Sequence, residues 1–84
     1  APDPKLKPKI EKTAQKITRL NLNIHQIHVH DYVDHKELTF HILLPNKMTV
    51  EESHDLTVKI EQELKKDLGM VATIHVEPLT TVIE

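Results

Sequence analysis

The sequence predicts an α+β fold: a two-layer α-β-β-α-β sandwich with two helices on one face of a three-stranded mixed sheet. Three observations carry that expectation. Two segments place apolar residues at helical spacing, and three others alternate apolar with polar residues. Polar turns and capping residues separate them. The last strand follows the second helix, and a strand-helix-strand connection within one sheet is as a rule a right-handed parallel crossover.

Each element can be justified in order. Residues 1–8, with Pro2, Pro4 and Pro8, read as a linker from a preceding domain, residues 9–78 as the folded unit and residues 79–84 as a C-terminal tail. Lys9 to Leu20 is expected to be helical, because Ile10, Ala14, Ile17 and Leu20 form one apolar stripe. Asn21 and Asn23 mark its exit. A strand is expected over Ile24 to Val33, alternating from Ile27 onward: Ile27, Val29 and Val33 on one side, His28, His30 and Tyr32 on the other. After the polar turn Asp34-His35-Lys36, Leu38 to Leu44 alternates again, so the two runs read as a hairpin. Pro45 and Asn46 stop it. Thr49-x-x-Glu52 is a capping box that opens a helix running to Leu68, and Gly69 is a natural stop. Its inward stripe is Ser53, Leu56, Ile60, Leu64 and Leu68. Met70 to Glu77 reads as the final strand, ended by Pro78. The whole resembles a ferredoxin-like (metallochaperone-like) arrangement without its first strand.

Composition narrows the function. With 84 residues and only Tyr32 and Phe40 as aromatics, the core is thin and aliphatic. Zero Cys excludes disulfides and thiolate metal sites. A net charge of -2 and a single Arg (Arg19) argue against nucleic-acid binding. No apolar run approaches the ~18 residues of a membrane helix. No nucleophile–base pairing or glycine loop suggests an enzyme, and Gly69 is the only glycine.

Histidine is the conspicuous residue: there are seven, and five of them (His25, His28, His30, His35, His41) lie between positions 25 and 41. Imidazole is both a transition-metal ligand and the side chain that titrates near neutrality. Strand alternation turns Ile27, Val29, Phe40, Ile42, Ile74 and Val76 toward the helices. His28, His30, His41, His75 and Glu77 then share the open face. Neighbouring strands lie about 4.8 Å apart and same-face residues about 6.7 Å apart, so imidazoles and a carboxylate from three strands can meet at one ion. Such an N/O donor set suits zinc or another divalent transition metal and points to reversible binding. His30, His41 and His75 are the expected strand ligands, with Glu77 two residues after His75. His54, on the flank of the second helix, is a further donor, from the same chain or a partner. His25 and His35 read as solvent-exposed. Asp31 and Asp34 read as hairpin-flank charges, Asp31 being also placed to orient a histidine.

The motifs Val29-His30-Asp31, Phe40-His41-Ile42, Glu52-Ser53-His54 and above all Ile74-His75-Val76-Glu77-Pro78 resemble the cytosolic C-terminal domain of cation diffusion facilitator transporters. The resemblance runs from about Lys9 to Pro78. It implies a dimeric domain on the cytoplasmic face of a membrane, following a membrane-spanning transport unit not contained in this chain. It implies zinc as the bound ion, a role in sensing cytosolic metal for efflux, and His30, His41, His54, His75 and Glu77 as ligands. Some members carry Asp where Glu77 stands and use it to bridge two ions. With the longer Glu, one ion per chain is the expectation here. The alternative is a metal-independent ferredoxin-like dimerisation module.

Overall fold

The computed structural model describes residues 3–81. The linker expected at residues 1–8 and the tail expected at 79–84 thus lie partly outside the described residues. The elements are α1 (Leu6–Gln15), β1 (His25–Asp31), β2 (Lys36–Leu44), α2 (Val50–Leu68) and β3 (Val71–Pro78). Both helices and a three-stranded mixed sheet are present, in the expected order. β2 is central, antiparallel to β1 and parallel to β3.

Helix α1 starts at Leu6, three residues before the expected Lys9, and ends at Gln15. Pro8 permits this because a first-turn proline lacks only an N–H that would have no helical partner. Leu6, Ile10, Thr13 and Ala14 form the buried stripe. The expected last stripe member, Leu20, lies outside the helix and is 41% exposed. Past Gln15 the β-branched Ile17 and Thr18 favour helix less, and the chain turns through Lys16 N–H to Thr13 O and Ile17 N–H to Ala14 O. Leu22 and Ile24 then enter the core.

Helix α2 matches its expectation closely. Thr49 accepts from Glu52 N–H at 3.0 Å while the Glu52 carboxylate accepts from Thr49 N–H at 2.9 Å. Gly69 closes the helix at φ 69°, a conformation that suits a residue without Cβ. Thr57, Ile60 and Leu64 are buried, with Leu56 and Leu68 packed beside them. The two helices are tied by Asp67, whose carboxylate accepts from buried Thr13 Oγ1 at 2.9 Å and from Lys16 Nζ at 2.7 Å.

The core lies between the helical layer and one sheet face. Leu38, Phe40, Ile42 and Leu44 of β2 pack with Ile10, Ile60 and Leu64. Residues of the opposite parity on β2, namely Glu37, Thr39, His41 and Leu43, belong to the open face. The hairpin turn is Tyr32 to His35, closed by Tyr32 N–H to His35 O at 2.9 Å. Val33, expected to point inward on a longer strand, sits in that turn and is fully exposed.

Candidate metal centre

Strand register decides which histidines meet. The ladder pairs Asp31 with Lys36, His30 with Glu37, Val29 with Leu38 and His28 with Thr39. It then shifts, and His25 pairs with His41. The shift is a β-bulge at Gln26, whose φ is 51°. A bulge adds one residue to one strand and so reverses the parity beyond it. His25, odd-numbered, therefore joins the even-numbered His28 and His30 on the open face. Across the other ladder His41 pairs with His75, and Leu43 with Glu77. One row of the open face thus reads His25–His41–His75, with Glu77 one step beyond.

The side chains converge accordingly. The Glu77 Oε1 lies 2.8 Å from His41 Nδ1 and 3.1 Å from His25 Nε2. One ligand atom from each of His25, His41 and Glu77 falls within 4.8 Å of the others, the only such group among the described residues. The His75 ring stacks on His41 with centroids 4.8 Å apart. The site is half-sheltered: the His25 side chain is 12% exposed and Glu77 27%. Leu43, on the same face and buried, gives it an apolar flank.

The protonation logic is specific. His25 Nδ1 lies 2.6 Å from the Asn23 carbonyl, which can only accept, so that nitrogen donates. A neutral His25 then turns the lone pair of Nε2 toward a carboxylate oxygen. Two acceptors at 3.1 Å require a positive centre between them, a proton or a metal ion. The carbonyl-held Nδ1–H is the arrangement that orients metal-ligating histidines. Glu77 is held below the ordinary carboxylate range, first by the His41 hydrogen bond, with His25 adding to it and burial opposing. It is therefore ionised at neutral pH and available as a ligand. Two imidazole nitrogens and a carboxylate oxygen fit zinc, which takes His nitrogens and Asp or Glu oxygens in four-coordinate sites.

Of the residues expected as ligands, His41 and Glu77 meet, and His75 stacks on His41. His30 does not. It occupies the expected face but stands opposite Glu37, four residues along β2 from His41, or about 13 Å at strand rise. His54 is exposed on α2, in the helical layer, and takes no part in the cluster. His25, expected to be solvent-exposed, is the strand histidine that meets His41 and Glu77 in place of His30. The signal for it was present: Ile24 and Ile27 are both apolar but three apart, a break in the alternation that a bulge explains. Asp31 faces Lys36 across the hairpin rather than any histidine.

The chain is an α+β sandwich that carries a candidate His/carboxylate metal site on its open sheet face. The chain belongs to the cation efflux protein family, as its cytoplasmic domain: the family model for that domain matches residues 2–79. Among solved structures it is similar to CzrB, a candidate zinc transporter, with TM-score 0.76 at 30% identity over 93% of this chain and 98% of that one. The zinc form of CzrB gives TM-score 0.81 at 27% identity, covering 100% of this chain and 97% of that one. The metal-bound C-terminal domain of the CzcD transporter from Thermotoga maritima gives 0.80 at 28% identity, covering 94% and 93%. Among curated proteins compared by sequence, none matches. No helix of the described residues is long and apolar enough to cross a membrane.

Proposed function

We propose that this chain is the metal-sensing, dimerising regulatory domain of a divalent cation efflux transporter, with zinc as its ion and no enzymatic activity of its own. The ion is held by His25 Nε2, a ring nitrogen of His41 and the Glu77 carboxylate. His75 is the adjacent strand donor, and His54 of a second copy is the candidate for the remaining position. The observation that carries this reading is the convergence of His25, His41 and Glu77 within 4.8 Å on the open sheet face. The metal-bound forms of CzcD and CzrB support it by similarity.

The mechanism follows from the donor set. Without metal, the Nε2 lone pair and the carboxylate need a proton between them. An ion replaces that proton and fixes β1, β2 and β3 to a common centre. If the last donor comes from a second chain, the ion also favours one dimer geometry, by as much as its affinity differs between geometries. Such a domain would bias the membrane unit that precedes it according to cytosolic metal.

The test is calorimetric titration of the chain with zinc, joined to sedimentation with and without chelator. Saturable binding that is weakened by Glu77→Gln, with a dimer strengthened by zinc, is expected. No heat, together with no competition against a chelator dye, would remove the sensor reading. A dimer indifferent to chelator would leave a metal-independent dimerisation module.

A further inference from the structure

The histidines that the primary site leaves unused are not scattered. The segment His28-Val29-His30-Asp31-Tyr32-Val33-Asp34-His35-Lys36-Glu37 forms the far end of the hairpin. There the His35 ring is gripped from both sides. Its Nδ1 lies 2.6 Å from Asp34 Oδ1 and its Nε2 lies 2.8 Å from Glu37 Oε2. Tyr32 stacks on it, centroids 4.9 Å apart and planes 20° from parallel. Ionised carboxylates only accept hydrogen bonds. A neutral imidazole has one N–H, so one of these two contacts again sets a lone pair against a carboxylate oxygen.

One part of the primary site's construction recurs here, an imidazole contacted at both ring nitrogens. At His25, Nδ1 is held by an oxygen and Nε2 faces Glu77, with His41 beside that carboxylate. At His35, Nδ1 is held by Asp34 and Nε2 faces Glu37. The cross-strand partner of Glu37 is His30, on the same open face. Directly opposed residues have Cβ atoms about 4.5–5.5 Å apart. His30 is exposed, and turning about its side-chain torsions is the motion by which a ring nitrogen would meet the Glu37 carboxylate. Asp34 then plays the part of the carboxylate that orients a ligating histidine from behind.

We propose that the hairpin tip is a second binding site for a divalent transition-metal ion, with His35 Nε2, Glu37 Oε2 and a ring nitrogen of His30 as ligands. Two imidazoles and one carboxylate select zinc and its neighbours over magnesium or calcium, which prefer all-oxygen shells. The site lies about 13 Å along β2 from His41, so it loads independently of the primary centre. All its ligands are more exposed than His25, so it binds more weakly and exchanges faster.

The experiment uses the 84-residue chain with the primary centre disabled by His25→Ala and Glu77→Gln. Zinc titration followed by nitrogen-15 imidazole spectra is expected to show one remaining equivalent, with the His30 and His35 ring signals moving together and magnesium without effect. Adding His35→Asn should abolish that equivalent. The proposal is overturned if the disabled variant binds no zinc, or if its binding survives His35→Asn. It is also overturned if the His35 signals respond to pH but not to zinc, since the gap to Glu37 would then hold only a proton. Should the disabled variant fail to fold, zinc added to the unaltered chain beyond primary saturation decides. Movement of the His30 and His35 signals supports the site, and their stillness overturns it.

Discussion

His25 stands directly opposite His41 although the hairpin ladder alone would not put it there. From His28 opposite Thr39 to His25 opposite His41, β1 advances three residues while β2 advances two. The extra residue is Gln26, in the left-handed region at φ 51°. The His25–His41–Glu77 cluster therefore depends on a backbone irregularity as much as on residue identity.

That dependence separates two variants. His25→Ala should weaken zinc binding at the primary centre by more than the roughly 10–100-fold typical of losing a mere orienting partner. His30→Ala should leave that centre's affinity unchanged, since His30 faces Glu37. Competition with a zinc-chelating dye measures both. Equal losses in the two variants would mean that the ladder is in another register in solution.

The bulge itself is open to a stability measurement. A non-glycine residue in the left-handed region costs about 1–2 kcal/mol, and glycine escapes that cost while losing more chain entropy. Gln26→Gly is expected to leave stability unchanged or raise it by up to about 1 kcal/mol. Gln26→Val, with its branched Cβ, is expected to lower it by about 1–2 kcal/mol. Urea denaturation midpoints give the sign. A Val variant as stable as the original would place Gln26 in ordinary strand geometry.

Glu77 gives the metal-free domain a pH dependence with a defined direction. Its folded-state pKa lies below the ordinary value because His41, and then His25, bond to the ionised form. Its contribution to stability is therefore fully present above the ordinary glutamate range near pH 4.5. It is lost as pH falls through the depressed folded value, where the folded state also takes up the proton. Glu77→Gln in chelator should remove this part of the acid limb while leaving the remaining carboxylates to titrate. Zinc affinity should decline separately as pH falls, because protons compete with the ion for imidazole nitrogens. Denaturation profiles between pH 3 and 6 that are superimposable for the two proteins would contradict the Glu77 assignment.

Phe40 anchors the core as its one aromatic ring, fully buried on the central strand. Phe40→Ala should cost about 3–5 kcal/mol, a large part of the roughly 5–15 kcal/mol available to a small domain. Thr49→Ala, which removes the capping-box acceptor of α2, should cost about 1 kcal/mol. Circular dichroism during urea titration reads both. Equal costs would mean that the core is more yielding than its burial implies.

Much of this was legible before the fold was known. The capping box Thr49-x-x-Glu52 and Gly69 bound α2 correctly because caps act locally. Alternation in Leu38 to Leu44 assigned the two faces of β2 because pleat parity is a property of one strand. The start of α1 was less legible, because Pro8 is compatible with both a linker and a first helical turn, and only burial of Leu6 against the sheet selects the helix.

The sequence by itself determined the element types, their order, the two-layer arrangement and the presence of His41, His75 and Glu77 on one open face. Each of these follows from short-range periodicity, from caps or from the rules of crossover connections. Only the tertiary structure decided that His25 rather than His30 joins them. Which rungs of β1 and β2 face each other depends on where the hairpin turns and on the residue absorbed at Gln26, and both are fixed by packing across strands, beyond the reach of a single-strand pattern.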